Sequence, residues 1–289
     1  MVKVEGRTGT ELRGSRNGSI LWLIPAYALA WKQRSAILQM SKSPRKGGSR
    51  SGKAPRQPRF SRELSVLYED DAVVAIDKPA GLAAVPVKGS DSPSALSLLS
   101  ARLRLKRQRA FVVHRIDRFT SGVLLFAKTE RDRDTLVRQF IEHTPKREYL
   151  AVVRGSPGAK DGTLVHYFRR DGMFQTLRPE SDTTAARAEL RYSVERPLFG
   201  ASLVRVSLVT GLQNQIRVQF SAIGHPVIGD RKYHSEEASE RRITRVALHA
   251  ANLQFIHPRS GESISIVCEQ PPDFRSLVQS LSPSARARR

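Results

Sequence analysis

Five apolar side chains occupy every second position from Ala186 to Val194: Ala186, Ala188, Leu190, Tyr192 and Val194. Arg187, Glu189, Arg191, Ser193 and Glu195 stand between and after them. A period of two places one set on each face of a strand, so one face is buried and the other meets water. In a helix the same apolar groups would be scattered around the whole circumference. Val204, Val206 and Leu208 continue the pattern. Such segments commit the chain to an antiparallel sheet with one wet face.

The rest of the chain fits around that sheet. Leu64 to Tyr68 and Ala72 to Asp77 are short apolar runs parted by Glu69-Asp70-Asp71, a strand–turn–strand unit. Ser92-Pro93 is expected to start a helix, with Leu96, Leu99 and Leu103 on one face. Val123 to Ala127 reads as a buried strand. Thr129 and Asp132 resemble a capping box, with Leu136, Val137, Phe140 and Ile141 as the apolar stripe behind it. Tyr149 to Val153 and Ser263 to Val267 read as strands. Asn214 to Ile223 reads as a helix stopped by Gly224, and Pro271 to Ser280 as a final helix. The helices do not alternate regularly with the strands. The expected class is therefore α+β, with a largely antiparallel mixed sheet flanked by helices.

Charge narrows the partners. The 289 residues carry 49 Lys+Arg against 27 Asp+Glu, a formal charge of +22. That excess favours polyanions: RNA, DNA or an anionic membrane surface. Half of it lies in residues 1–60, which hold 13 basic and 2 acidic residues. Ser41 to Phe60 is half Ser, Gly and Pro, with seven basic residues and no acid. Too little apolar surface exists there to offset the entropy of ordering. Residues 1–60 are thus expected to be a disordered basic extension, 61–282 a folded domain, and 283–289 a basic tail. Ile20 to Trp31 is apolar but too short to span a bilayer. The leader also allows a signal peptide, an organellar transit peptide over residues 1–40, or a true start at Met40; the default expectation is a cytoplasmic protein. A single cysteine, Cys268, excludes a disulfide scaffold and a Cys-rich zinc site, and it reads as a buried strand residue. The seven histidines show no metal spacing, and neither GxxxxGK[ST] nor GxGxxG occurs.

Three segments hold the candidate chemistry. In Val113 to Thr129, Asp117 lies between Arg115 and Arg118, two cations able to keep a carboxylate ionised in a cleft. A cap or a surface ion pair explains the same residue. In Lys146 to Gly155, Tyr149 enters a strand beside basic residues, suited to stacking on a nucleobase or to an ordinary core position. In Thr210 to Tyr233, Arg217 sits one position off an apolar helix stripe, placed to pair with a buried carboxylate or to remain solvated. Gly224-His225-Pro226 and Gly229-Asp230 read as turns.

Taken together, these segments resemble the RluA-type RNA pseudouridine synthase family. HRIDRFTSGVLLFAKT is similar to that family's HRLDRxTSGLLLFAK motif. LYEDDAVVAIDKPAGL resembles its opening strand pair, and REYLAVVRG its tyrosine motif. NQIRVQFSAIGHPVIGDRKY resembles its HQIRVH…GHPxxGDxxY segment, and ALHAANLQFIHPRSGE its last motif. All lie in order between about Ser61 and Ser282. The resemblance implies a pseudouridine synthase fold and an isomerase of RNA uridines, acting on rRNA or tRNA. Asp117 would be the catalytic aspartate, Tyr149 the residue stacked on the uracil and active in proton transfer, and Arg217 the partner of Asp117. His114, Arg115, Arg118 and Leu248 would contact substrate, Arg115 in the gap left by the flipped nucleotide and Leu248 near the base. No cofactor, metal or membrane is implied, and a monomer suffices. The sequence departs from the pattern at Phe119, where Asp is common, at Leu212, where Arg is common, and at Asn214 and Gln219, where His is frequent. Two other readings stand beside this one: an RNA-binding or chaperone protein that kept the fold without activity, and a membrane-surface protein anchored through Ile20 to Trp31.

Overall fold

The computed structural model describes residues 64–172, 174–233 and 242–283. The extension over 1–60, the apolar run Ile20 to Trp31 and nearly all of the tail lie outside these residues. Among the described residues, eleven strands form one sheet. In chain order the elements are β1 (Ser65–Glu69), β2 (Val73–Lys78), α1 (Ala95–Arg104), β3 (Phe111–Val112), β4 (Ser121–Ala127), α2 (Glu130–Ile141), β5 (Lys146–Arg154), β6 (Asp161–Asp171), β7 (Phe174–Arg178), β8 (Ala186–Leu198), β9 (Ala201–Leu208), α3 (Gln215–Ala222), β10 (Leu248–Ile256), β11 (Ser263–Val267) and α4 (Pro272–Ser280). The strands run in the order β1-β2-β4-β10-β5-β9-β8-β6-β7, with β3 beside β4 and β11 beside β10. Among the strand pairs of the described residues, only β4–β10 is parallel, through Ser121 opposite His249 and Gly122 opposite Ala250. The α+β class and the mostly antiparallel sheet are as the alternation predicts.

Both faces of the β2–β4 region are covered, which is why β4 is a continuous apolar run. Val73, Ala75, Val123, Leu125 and Ala127 pack with Leu136 of α2. Val74, Ile76, Leu124 and Phe126 pack on the opposite face with Ala95, Leu99 and Leu103 of α1. The third cluster joins β5, β8, β9 and β10 to Ile216 and Phe220 of α3 and to Phe274, Leu277 and Val278 of α4. On β8 Ala188, Leu190 and Tyr192 are buried as the period of two requires, whereas Val194 is half-buried and Ala186, at the start of the strand, is exposed; Leu198 at its end is buried as well. Gly122 permits the β4–β10 approach: its φ is +111°, and a Cβ there would lie 2.1 Å from the Ala250 carbonyl oxygen.

Several local expectations are corrected. Helix α1 is capped by Ser94, not Ser92: Ser94 Oγ accepts from the Ser97 N–H at 3.1 Å, and Ser97 Oγ accepts from the Ser94 N–H at 2.8 Å. A bridge between Ala83 and Ser94, with Ala95 N–H donating to the Ala83 carbonyl, fixes that start by tertiary contact. Thr129 caps α2 as expected, but Ile141 stands exposed at the helix end. The β6–β7 hairpin has no counterpart among the expected elements, and Leu248–Ile256 is a strand inserted at the centre of the sheet.

Candidate active site

Asp117 lies in the turn that leads from β3 into β4. The Thr120 N–H donates to the Asp117 carbonyl at 3.1 Å. The next carbonyl, that of Arg118, accepts from the Gly81 N–H at 2.7 Å and from Lys78 Nζ at 3.1 Å. Lys78 is fully buried at the end of β2 and also donates to the carbonyls of Pro79 and Leu82, each at 2.9 Å. Arg118 returns a bond from Nε to the Gly81 carbonyl at 2.8 Å. The Asp117 turn is thus stapled to the segment after β2, leaving the carboxylate at the edge of the fold with its side chain 26% exposed. Burial pulls the Lys78 ammonium down to about 7, with the charge of Asp117 acting in the opposite direction.

Arg217 reaches the same place from the first turn of α3. Its side chain is 11% exposed and meets two carboxylates. Asp230 accepts at both oxygens, from Nε and from Nη2, at 2.8 Å each. Asp117 accepts only from Nη1, at 3.4 Å. Nη1 also donates to Asn214 Oδ1 at 2.8 Å. Asn214 holds that position with a left-handed backbone, φ +56°, and passes a bond from Nδ2 to the Tyr233 hydroxyl at 3.1 Å. The Tyr233 ring lies under the guanidinium, 5.2 Å from Cζ. Asp230 is itself almost wholly buried and accepts further from the Lys232 and Tyr233 N–H groups. Burial alone would raise its pKa, but the bonds and charge of Arg217 with the two N–H groups outweigh burial and hold it below the usual carboxylate range. The sequence expectation that Arg217 pairs with Asp117 is therefore only part of the arrangement: Asp230, taken for a turn residue, is the tighter partner.

Tyr149 stands on β5, opposite Val206 of β9 and Ala250 of β10. Its ring is 9% exposed and shares one apolar cluster with Ile116, Ile216 and Leu248. Burial pushes its hydroxyl up to about 12, Arg147 opposing and the nearby charge of Asp117 adding to the rise. The three principal residues thus converge from three separate parts of the chain: the β3–β4 turn, β5 and α3.

The remaining candidates are spread more widely. Leu248 is buried in the same cluster as Tyr149. Arg115 and Arg118 are exposed on either side of Asp117, and Arg118 Cζ lies 5.7 Å from the ring of the half-exposed Phe119. His114 is engaged inside the fold: its Nε2 accepts from the Leu125 N–H at 3.1 Å and its ring stacks on Phe140 of α2. Burial, followed by the charge of Arg147, lowers it to about 3, so its ring is neutral. Gln219, where the resemblance would place His, is buried and donates to the Leu164 and Ala188 carbonyls. Lys78 and Asp230 escaped the sequence reading. The signal available for Asp230 was Arg217 itself, since a buried guanidinium requires a close carboxylate.

This arrangement presents one accessible carboxylate beside a guanidinium that a second carboxylate immobilises, with a protonated phenol close enough to feel the charge of the first. It suits recognition of a planar ring and work by a fixed anion in a partly dry site. Among the described residues, no group of three or more His, Cys, Asp or Glu side chains is placed to hold a metal ion. No helix among them is long and apolar enough to cross a membrane.

Comparison with known proteins follows the same segments. The sequence profile described as RNA pseudouridylate synthase matches residues 72–222, which include Asp117, Tyr149 and Arg217 but stop short of Asp230. The chain is 34% identical over 235 residues to the ribosomal large subunit pseudouridine synthase D of Zymomonas mobilis, covering 77% of this chain and 74% of that protein. It is 34% identical over 212 residues to the dual-specificity RNA pseudouridine synthase RluA of Escherichia coli K12, covering 73% of this chain and 94% of that protein. Among solved structures, human RNA pseudouridylate synthase domain containing 1 aligns with a TM-score of 0.62 at 25% identity, over 76% of this chain and 89% of its own. Human RNA pseudouridylate synthase domain containing 4 shares the fold, with a TM-score of 0.64 at 21% identity, over 75% and 92% of the two chains.

Proposed function

The chain belongs to the RNA pseudouridylate synthase family and is an RNA-modifying isomerase; from that premise we propose that Asp117 is its catalytic aspartate, with Tyr149 and Arg217 as its partners. One observation carries the proposal: Arg217 and the buried Tyr149 both converge on Asp117, Arg217 through a 3.4 Å contact.

The reaction breaks the C1′–N1 bond of a uridine, turns the uracil and joins its C5 to C1′, while C5 loses its hydrogen as a proton and the freed N1 takes up a proton. Atoms and electrons balance within the nucleotide, so no oxidant and no donated group is needed. The uridine must leave its stack to reach the carboxylate. Tyr149 offers a face on which the uracil rests, and a base–aromatic stack is worth about 1–3 kcal/mol against the cost of unstacking. Its hydroxyl stays protonated and is a proton donor to the turning base. Arg217, immobilised by Asp230, holds the Asp117 carboxylate in place for the reaction. Arg115 and Arg118, exposed beside Asp117, and Leu248, buried beside Tyr149, are assigned to substrate contact, Arg115 to the space left by the extruded nucleotide. His114 is assigned to packing of the turn rather than to substrate.

The substrate RNA is large-subunit rRNA or tRNA; the Zymomonas mobilis relative is by name a ribosomal large subunit enzyme. The catalytic domain spans residues 61–282 and works as a monomer in the cytoplasm, with residues 1–60 adding sequence-independent grip on phosphates. The test is tritium release from RNA labelled at uridine C5, with rRNA and tRNA assayed separately. Wild-type protein should release tritium from one of them, and a folded Asp117→Asn variant from neither. Normal turnover by Asp117→Asn overturns the assignment.

A further inference from the structure

From Ser92 to Ile116 the chain has no acidic residue, and its basic groups crowd into the turn after α1, ARLRLKRQR over residues 101–109. The sheet places this turn away from the active site. Phe111, just after it, pairs with Ala127 at the far end of β4, whereas Asp117 adjoins the start of β4 at Ser121. Six residues of strand at about 3.3 Å each separate the two ends by roughly 20 Å.

The local charge there is not neutralised. Glu69 takes up Lys128 at 2.9 Å, Lys106 at 3.2 Å and Arg102 at 3.8 Å. That leaves Arg104, Arg107 and Arg109, all exposed, with no carboxylate partner among the described residues. Arg107 moreover occupies a left-handed backbone position, φ +57°, at the end of the helix. That position favours glycine, and any other residue there carries strain. Arg109 and Arg133 both hold their guanidinium groups over the buried Phe111 ring, Cζ 5.1 Å and 5.7 Å from its centre. Between Arg104 and Lys106, Leu105 is 89% exposed. Clustered arginines on one surface, one of them held at a strained position, are the footprint of a phosphate backbone.

We infer that this turn is a second RNA-docking surface, gripping the phosphate backbone of the substrate about 20 Å from the reacting uridine. Arg104, Arg107 and Arg109 make the phosphate contacts, and Leu105 lies against a sugar or base edge between them. The surface contributes to binding and not to chemistry, and only RNAs long enough to reach from the site to the turn benefit from it. The inference rests on RNA being the substrate.

The test compares wild type with Arg104→Gln/Arg107→Gly/Arg109→Gln and with Arg104→Lys/Arg107→Lys/Arg109→Lys. Filter binding to naked rRNA and tRNA over a salt series is combined with KM and kcat on long and short versions of the RNA that wild type modifies. The neutral variant should bind with a log–log salt slope shallower by about 0.7–0.9 for each phosphate no longer neutralised, and KM for long RNA should rise on the order of tenfold. Its kcat should hold within about twofold, and its KM for a short stem-loop should not change. Glycine at position 107 should leave the thermal midpoint equal or higher, so weaker binding cannot be laid to unfolding. The lysine variant keeps the charge and should retain the wild-type salt slope. A wild-type slope and KM in the neutral variant overturn the inference. So does a loss shared equally by the lysine variant, or one seen only with assembled ribosomal particles, which would point to a protein partner. If wild type itself releases no tritium, the proposed function fails instead, and the salt slopes still decide whether the turn binds RNA.

Discussion

Arg217 is bound more tightly to Asp230 than to Asp117: two contacts of 2.8 Å to the first against one of 3.4 Å to the second. The guanidinium is therefore anchored from behind by a buried carboxylate and offers only one corner to the accessible one. That division of labour fixes the arginine without tying up the accessible aspartate.

Removing the anchor should cost both stability and activity. Breaking a buried ion pair by deleting one partner costs about 3–5 kcal/mol. Asp230→Ala should lower the thermal midpoint by roughly 10 °C and depress kcat more than it raises KM. Because the folded pKa of Asp230 lies below its unfolded value, the stability it contributes is present above about pH 4 and is lost as pH falls through the folded value. Acid unfolding followed by circular dichroism should show a smaller drop below about pH 4 in Asp230→Asn than in wild type.

Tyr149 should act as a ring and a neutral hydroxyl, never as a phenolate. With its hydroxyl pushed up to about 12 by burial, it stays protonated across the working range. The kcat profile should show no basic limb from this residue below about pH 11. Tyr149→Phe should keep KM within about twofold and place any loss in kcat, while Tyr149→Ala should lose the stacking share of about 1–3 kcal/mol in substrate affinity. Steady-state kinetics on the released-tritium assay separates the two.

Lys78 should impose a pH dependence of the same sense as Asp230, in a higher window. Its folded pKa of about 7 lies below the usual lysine value, so between about pH 7 and about pH 10.4 the unfolded chain binds more protons. Stability should rise through that window in wild type. In Lys78→Met the rise should vanish, and the variant should be less stable throughout, since the carbonyls of Pro79, Leu82 and Arg118 lose their shared donor. Urea denaturation at stepped pH measures both effects.

Gly122→Ala should damage the sheet at its parallel contact. The added Cβ would meet the Ala250 carbonyl oxygen at 2.1 Å on a backbone of φ +111°. Overpacking and backbone strain together should cost at least about 3 kcal/mol. Differential scanning calorimetry would show it, and a wild-type midpoint would mean that β4 and β10 are less closely apposed than described.

The features set by local periodicity were legible in advance. Ala188, Leu190 and Tyr192 turn inward on β8 because alternation is a property of the strand itself. Thr129 caps α2 because its side chain satisfies an N–H three residues away. What escaped were features decided by distant contacts. Ser92-Pro93 reads as the helix start in the sequence, and the bridge to Ala83 moves that start to Ser94. Asp230 follows a glycine and so reads as a turn residue, while its actual environment is supplied by Arg217, thirteen positions earlier. Asp117, Tyr149 and Arg217 were found through their motifs, and their convergence on one place comes from the sheet.

The parallel contact between β4 and β10 spans only two residue pairs, yet it joins the half of the sheet that carries Asp117 to the half that carries Tyr149. Since β10 begins at Leu248, a chain emerging from the ribosome has already made all three principal residues long before the strand that unites them appears. Closure of the site is a long-range event of the kind that slows folding. The newborn protein should remain catalytically silent until β10 has been synthesised, and a message truncated before Leu248 would yield two halves of a reaction centre that cannot meet.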